Sequence, residues 1–222
     1  MKRVCKILFS IPKTIWFNFR YLPFSQACKF PVWIACNVRV KNMWKGGIVL
    51  NQCKTSIIRI GYHEADGLDI YSLHSIIDIH KGSFLEFKKD AHIGHGAIFC
   101  IKNGGKMIVG ENFAVSGNTR FICSNKIEIG DNVQFSWDSV VMDSDAHKIL
   151  YLNKDTKEID EDISIGNKVW IAAKVTMLKG TKIGDNCIVG IGSLTNKDYN
   201  YNNMIIAGAP AKPIKEIKAW EL

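Results

Sequence analysis

The chain has 222 residues, a formal net charge of +8, 47% hydrophobic and 23% charged residues, and 18 glycines against 5 prolines. This composition excludes a disordered chain, leaves room for a continuous core in one domain, and suits a turn-rich β protein. Cysteines at 5, 28, 36, 53, 100, 123 and 187 form no CxxC pair and no cluster, and their number is odd, which argues against a disulfide framework and for reduced thiols in a cytoplasmic protein.

The positive charge belongs to the N-terminus. Residues 1–63 hold eleven Lys or Arg and no Asp or Glu, whereas the rest has 18 bases against 21 acids. The same stretch contains Trp16, Phe17, Phe19, Tyr21, Phe24, Phe30, Trp33 and Trp44. Its apolar runs, such as Val4 to Phe9, fall far short of the roughly 20 residues that span a bilayer. Lys6 and Lys13 interrupt them, and no small-residue cleavage site follows, so a signal peptide does not fit. We read 1–56 as a basic, aromatic-rich cap segment. It either caps the fold as a solvated helix and strand or attaches the protein peripherally to an anionic surface at the inner face of a membrane. Nucleic acid is the weakest of the candidate partners.

From Ile57 to Phe87, short apolar alternations separated by turns such as Lys81–Gly82 predict early, irregular coils. Ile93 and Phe99 stand six apart, and Val109, Val115 and Phe121 follow at the same step; Ile129, Phe135 and Val141 resume it in a shifted frame. Between 165 and 195 the step is regular. Ile165, Ile171, Met177, Ile183 and Val189 recur every sixth residue, and Val169, Val175, Thr181, Cys187 and Ser193 follow each by four. No helix repeats at six, whereas short strands joined by tight turns do. The pattern predicts an all-β solenoid over 57–198.

Extending the shifted frame puts Asp145 at an inward position, where an unpaired carboxylate is strongly disfavoured. The chain must therefore leave the coil near Asp143. The charged, non-periodic KILYLNKDTKEIDED at 148–162 then predicts an extruded loop over 143–162. After Asp198 the repeat ends, and residues 199–222 read as a tail with a short helix from Pro213 to Trp220. His147 follows two aspartates at the mouth of the loop, where a neutral imidazole could accept a proton from an incoming group.

With the coil, DSDAH at 143–147, VWIAAKVTMLKGTKIGDNCIVGIGSL from 169 and AGAPAK at 207–212 in view, the chain resembles the hexapeptide-repeat acyltransferases. Within them it is most similar to maltose and galactoside O-acetyltransferases and to those of capsular or exopolysaccharide gene clusters, over about residues 57–215. The resemblance implies a left-handed parallel β-helix, acetyl-CoA as co-substrate without a metal, and a sugar or oligosaccharide acceptor. It also implies a homotrimer with sites between subunits. His147 becomes the general base, with Asp143 or Asp145 orienting its ring; which of the two does so stays open.

Trp170 falls at an outward phase, and the resemblance assigns it to the cofactor groove. Ala172 replaces the glycine of the usual Trp-Ile-Gly pattern, a mild strain if that position needs a positive φ. The Ala173 N–H is the candidate oxyanion donor. Gly192, Ser193, Lys197 and Lys212 match positions that contact coenzyme A, although Ile191 and Asn196 depart from the family's alanine and threonine. Ser193 also reads as a filler of the coil interior. Trp137 and Asp138, at outward phases, together with Asn118, are assigned to the acceptor. Ser116 replaces an asparagine frequent in sugar acetyltransferases, which argues against a simple maltose or galactoside acceptor.

Three rival readings stand beside this one. The same base and groove would serve N-acetylation of an amino-sugar nucleotide. A γ-carbonic-anhydrase-like metalloenzyme would use His92 and His95, but no third histidine is suitably spaced. A non-catalytic membrane scaffold would show no dependence on His147.

Overall fold

The computed structural model describes residues 2–63, 73–152 and 158–221. Helix α1 (Lys2–Tyr21) and the short α2 (Phe24–Ala27) lead into strands β1 (Val32–Ile34), β2 (Arg39–Lys41), β3 (Ile48–Leu50) and β4 (Ile58–His63). Among the described residues, the strands sort into a nine-stranded and two seven-stranded sheets. Successive strands of the chain go to successive sheets: β1 pairs with β4, β2 with Ile76–Ile79 and β3 with Phe84–Phe87, all in parallel. One turn of chain thus lays one strand on each side of a triangular prism, which is the left-handed parallel β-helix expected.

Both six-residue series point inward. Ile171, Met177, Val189, Val169, Val175, Thr181 and Cys187 are fully buried, and Ile165, Ile183 and Ser193 nearly so. Trp170 pairs with Ile188, eighteen residues on, which is three hexads per turn. Upstream, Val115 pairs with Phe135 at twenty residues and with Ile93 at twenty-two, so longer corners account for the shifted frame and the irregular early pattern. There the core widens to take aromatic rings. Phe99 stacks on Phe121 at 5.1 Å, and Phe113 and Phe135 meet Phe121 edge-on at 6.1 and 5.2 Å.

One edge of the prism is held by a ladder of side-chain caps. Asp131 Oδ1 accepts from Glu111 N, Asn167 Oδ1 from Asp131 N, Asp185 Oδ1 from Asn167 N, and Asn202 Oδ1 from Asp185 N, at 2.6–2.9 Å. The turns stack so closely that a Cβ on Gly166 would lie 2.4 Å from Asp185 Oδ1, which is why glycine recurs there.

The solenoid begins earlier than residue 57. The segment read as a cap already contains a first coil, β1 to β3, which irregular spacing conceals. Helix α1 covers the open edge of β1 with polar side chains. Asn18 bonds Val32 O and N at 2.7 and 3.2 Å, Thr14 bonds Ile34 O and N at 3.2 Å, and Ser10 Oγ accepts from Cys36 N at 2.9 Å. Four helical residues rise about 6 Å, close to the roughly 6.6 Å of two strand residues. A polar stripe at every fourth position therefore meets every second strand residue and satisfies groups that an exposed edge would leave open.

At the other end the expected helix over Pro213–Trp220 does not form. Ala211–Glu216 instead runs antiparallel to Met204–Gly208. The last parallel strand would otherwise carry unpaired backbone groups, and this returning strand satisfies them. Pro213 pairs with Ile206 at a shift in register, a place where a ladder tolerates a residue without an N–H.

Candidate active site

The predicted site residues occupy two different edges of the prism. Along the edge between the nine-stranded sheet and the sheet containing β2, Asn118, Asp138, Lys174 and Gly192 stack as corner residues with φ of 44°, 62°, 59° and 67°. Asn118 Nδ2 donates to Asp138 Oδ1 at 2.7 Å, so these two predicted acceptor residues are brought together. Half-buried Trp137 lies beside them, and its carbonyl accepts from Lys174 N at 2.9 Å, which puts Trp137 and Ala173 on adjacent rungs.

The positive φ of this turn falls on Lys174 and not on Ala172, so alanine replaces the usual glycine without the anticipated strain. The N–H groups of Ala172 and Lys174 are spent on Val189 O and Trp137 O. Between them, among the described residues, no acceptor stands on the Ala173 N–H, although Ala173 is only 4% exposed. An N–H left without an internal acceptor at such a corner is free to meet a ligand oxygen.

Trp170 projects outward from the same sheet. Its Nε1 donates to Ser136 Oγ at 3.1 Å, and its ring lies 6.2 Å from that of Trp220, whose own Nε1 donates to Lys168 O at 2.7 Å. Trp220 and Ser136 were not signalled by the repeat; only the return of the C-terminal strand brings Trp220 here. Ser193 is directed inward, and its Oγ engages Gly190 O at 2.6 Å and Gly208 N at 3.2 Å. Its hydroxyl is thus spent within the chain. Gly192 has open space around a hypothetical Cβ, so no close approach requires glycine there; its positive φ favours it, although the same corner takes Asn118, Asp138 and Lys174 in other coils.

His147 sits at the next edge, past the far end of strand Val140–Met142. The chain leaves the coil at Asp143, as the apolar step requires, and the two legs of the loop pair as an antiparallel ribbon: Asp145 N donates to Ile159 O and Glu161 N to Asp143 O at 3.0 and 2.9 Å. Residues 153–157 of the predicted loop lie outside the described ones. The His147 imidazole is exposed, with Nδ1 3.3 Å from the Asp145 carbonyl oxygen.

Neither candidate aspartate turns its carboxylate onto the ring. Asp143 is fully buried and accepts from Ser124 N and Asn125 N at 2.7 and 2.9 Å, capping the turn of the neighbouring coil. Asp145 pairs with Lys179 Nζ at 2.7 Å. Lys179 also donates to the carbonyls of Glu158 and Ile159 and lies 3.9 Å from Glu161, so it clamps both legs of the loop. Sequence reasoning missed it, because a lone lysine carries no signal until the loop folds over it.

Lys197, its Nζ 5.4 Å from the centre of the Tyr199 ring, lies at the same edge as Lys179; exposed Lys212 lies on the returning strand of the nine-stranded sheet. The two lysines therefore do not converge within one chain. His92 is exposed and His95 is buried against Lys6, so they share no site, and no cluster of three metal-ligating side chains occurs among the described residues. The buried thiol of Cys123 is pushed far up, first by burial and then by the Asp143 carboxylate, and burial likewise raises Cys187. Neither is a nucleophile at neutral pH.

No family model matches the chain. It is 34% identical over 115 residues, 51% of its length, to the galactoside O-acetyltransferase of Escherichia coli K12, and spans 56% of that relative. Among solved structures, a galactoside acetyltransferase in complex with coenzyme A superposes with a TM-score of 0.50 at 26% identity, over 62% of this chain and 66% of that one. The chain resembles the hexapeptide-repeat acetyltransferases. The polySia-specific acetyltransferase NeuO, at 21% identity, shares the fold over 86% of this chain and 72% of its own, with a TM-score of 0.63. The chain spans little more than half the length of the curated relative it matches. No helix among the described residues is long and apolar enough to cross a membrane.

Proposed function

We propose that the chain transfers an acetyl group from acetyl-CoA to a hydroxyl of a sugar or oligosaccharide, with His147 as general base. The observation that carries this reading is the pairing, on one β-helix, of an exposed imidazole on a clamped loop with an unspent main-chain N–H at Ala173. The base takes the proton of the acceptor hydroxyl as its oxygen attacks the acetyl carbonyl, and the N–H meets the charge that develops on the carbonyl oxygen. The carbon–sulfur bond then breaks, the imidazolium returns its proton to the sulfur, and coenzyme A leaves as the thiol. The raised cysteine thiols favour this direct transfer over an acyl-enzyme.

The two halves of this machinery are carried by different edges. Ala173 and Lys179 are six residues apart along one side of the prism, a separation of about 20 Å in extended chain. An acetyl group cannot reach both from one edge. We therefore propose that the site is composite, with the His147 edge of one subunit facing the Trp137–Ala173 edge of the next in a homotrimer. Exposed Ile149, Leu150 and Leu152 beside His147 support a neighbour or an acceptor covering this loop. Trp170, Ala172, Gly192, Lys197 and Lys212 are then cofactor-side residues drawn from more than one subunit, and Asn118, Trp137 and Asp138 face the acceptor. The resemblance to exopolysaccharide enzymes supports a surface-polysaccharide acceptor, and the reduced thiols support a cytoplasmic reaction.

The test is thiol release from acetyl-CoA in the presence of candidate oligosaccharides. His147→Ala is expected to lower kcat by roughly 10²- to 10⁴-fold with little change in KM for acetyl-CoA. Thioester loss at an unchanged rate in that variant would overturn the assignment.

A further inference from the structure

We propose that α1 seats the protein on an anionic lipid surface through an apolar face turned away from its own fold. An ordinary surface helix buries its apolar side and shows its polar one. Apart from Phe17 and Tyr21, which are buried, the arrangement here is inverted. Ser10, Thr14 and Asn18 are turned onto the edge of β1, whereas Leu8, Phe9, Ile15, Trp16 and Phe19 are 59%, 72%, 43%, 48% and 44% exposed. Pro12 is exposed as well, and lacking an N–H it leaves the Leu8 carbonyl without its helical partner.

The face continues past the helix. Phe19 lies 5.9 Å from both Phe24, which is 74% exposed, and Phe30. Phe30 O accepts from Ser56 N, and Ser56 Oγ accepts from Arg59 Nε, each at 3.0 Å. Exposed Arg20, Lys29, Lys54 and Arg59 are thereby gathered around the aromatic end of the face. An apolar strip with bulky aromatics and a rim of cations is the surface that an anionic bilayer interface complements.

Charge decides the occupant. The first 63 residues contain no acid, so two copies meeting through this face would oppose cations with cations and no counter-charge. Anionic headgroups supply that counter-charge while the acyl boundary takes the rings. In the trimer proposed above, the α1 helices cap the same end of three parallel solenoids and would reach one plane together. The docking itself does not depend on the chemistry at His147.

The full-length protein is mixed with vesicles of phosphatidylcholine alone or with about 30 mol% phosphatidylglycerol, and binding is read by sedimentation and tryptophan emission. The expected result is at least about tenfold stronger association with the anionic vesicles, weakening as salt rises. Leu8→Gln/Trp16→Gln/Phe19→Gln should lose about tenfold or more, while the unfolding midpoint and acetyl transfer stay at wild-type values. Should that variant misfold, Arg20→Glu/Lys29→Glu is expected to abolish the preference for anionic vesicles. Three outcomes would overturn the proposal: no vesicle binding by the wild type, equal binding by variants and wild type, or an apolar-face variant whose assembly mass falls in lipid-free solution. The last would assign the face to contact between copies.

Discussion

Replacing Asp143 by alanine separates structure from catalysis at the candidate site. The carboxylate is fully buried and accepts from the N–H groups of Ser124 and Asn125 at 2.7 and 2.9 Å. Hydrogen bonds to a charged group contribute about 1.5–3 kcal/mol each, and the buried Ser124 N–H would be left unsatisfied, whereas the exposed Asn125 turns its N–H to water. Asp143→Ala should therefore cost about 3–5 kcal/mol, read as a lowered urea midpoint with an unchanged m-value. Asp143→Asn keeps one acceptor but opposes an NH₂ to the second donor, and about half of that loss is expected. Because Asp143 is committed to this turn, kcat of the folded fraction should stay within about threefold of wild type. A variant that unfolds at the wild-type midpoint yet loses about 10² in kcat would refute this reasoning and return Asp143 to the orientation of His147.

Lys179→Met removes the clamp on both legs of the loop. It should lower kcat by about tenfold with a small change in KM for acetyl-CoA, and make the loop sensitive to limited proteolysis; unchanged cleavage would show that the ribbon holds without it. Phe121→Ala removes the ring that stacks on Phe99 and meets Phe113 and Phe135, and calorimetry should show a loss of about 3–5 kcal/mol; a cost under about 1 kcal/mol would mean that the neighbouring rings collapse into the space. The raised Cys123 thiol makes stability fall in alkali. An unfolded thiol ionises near 9.0, whereas the buried one keeps its proton, so its stabilising contribution is complete below that pH and is lost as pH rises through the folded value. Unfolding free energies from urea titrations between pH 8 and 10.5 should decline by up to about 1.4 kcal/mol per pH unit from this group, less steeply in Cys123→Ala; equal slopes would remove Cys123 as the cause.

The solenoid between Ile165 and Thr195 was legible because a strand alternates its side chains at every second residue and each coil repeats after three hexads. Apolar residues at a fixed phase can then only face the interior. The same rule made Asp145 informative, since a carboxylate at an inward phase forces the chain out of the coil and exposes His147. Other features were hidden because they depend on contacts far away in sequence. The first coil lies behind irregular spacing, and the stripe of Ser10, Thr14 and Asn18 reads as a solvent face until the open edge of β1 claims it. The C-terminal segment carried a plausible helix start at Pro213, but unpaired groups on Met204–Gly208 drew it into a strand.

At the candidate site, residue type and position were legible, but division of labour was not. Asp143 and Asp145 are chemically identical and two residues apart; only the neighbouring turn of Ser124 and Asn125, and Lys179 from the next coil, give one a capping role and the other an ion pair. Local sequence determines which way a side chain points along a strand, and so determined the coil and its interruption. What each outward group meets depends on chain far away in sequence, and the tertiary structure alone decided that the His147 imidazole and the Ala173 N–H stand on separate edges.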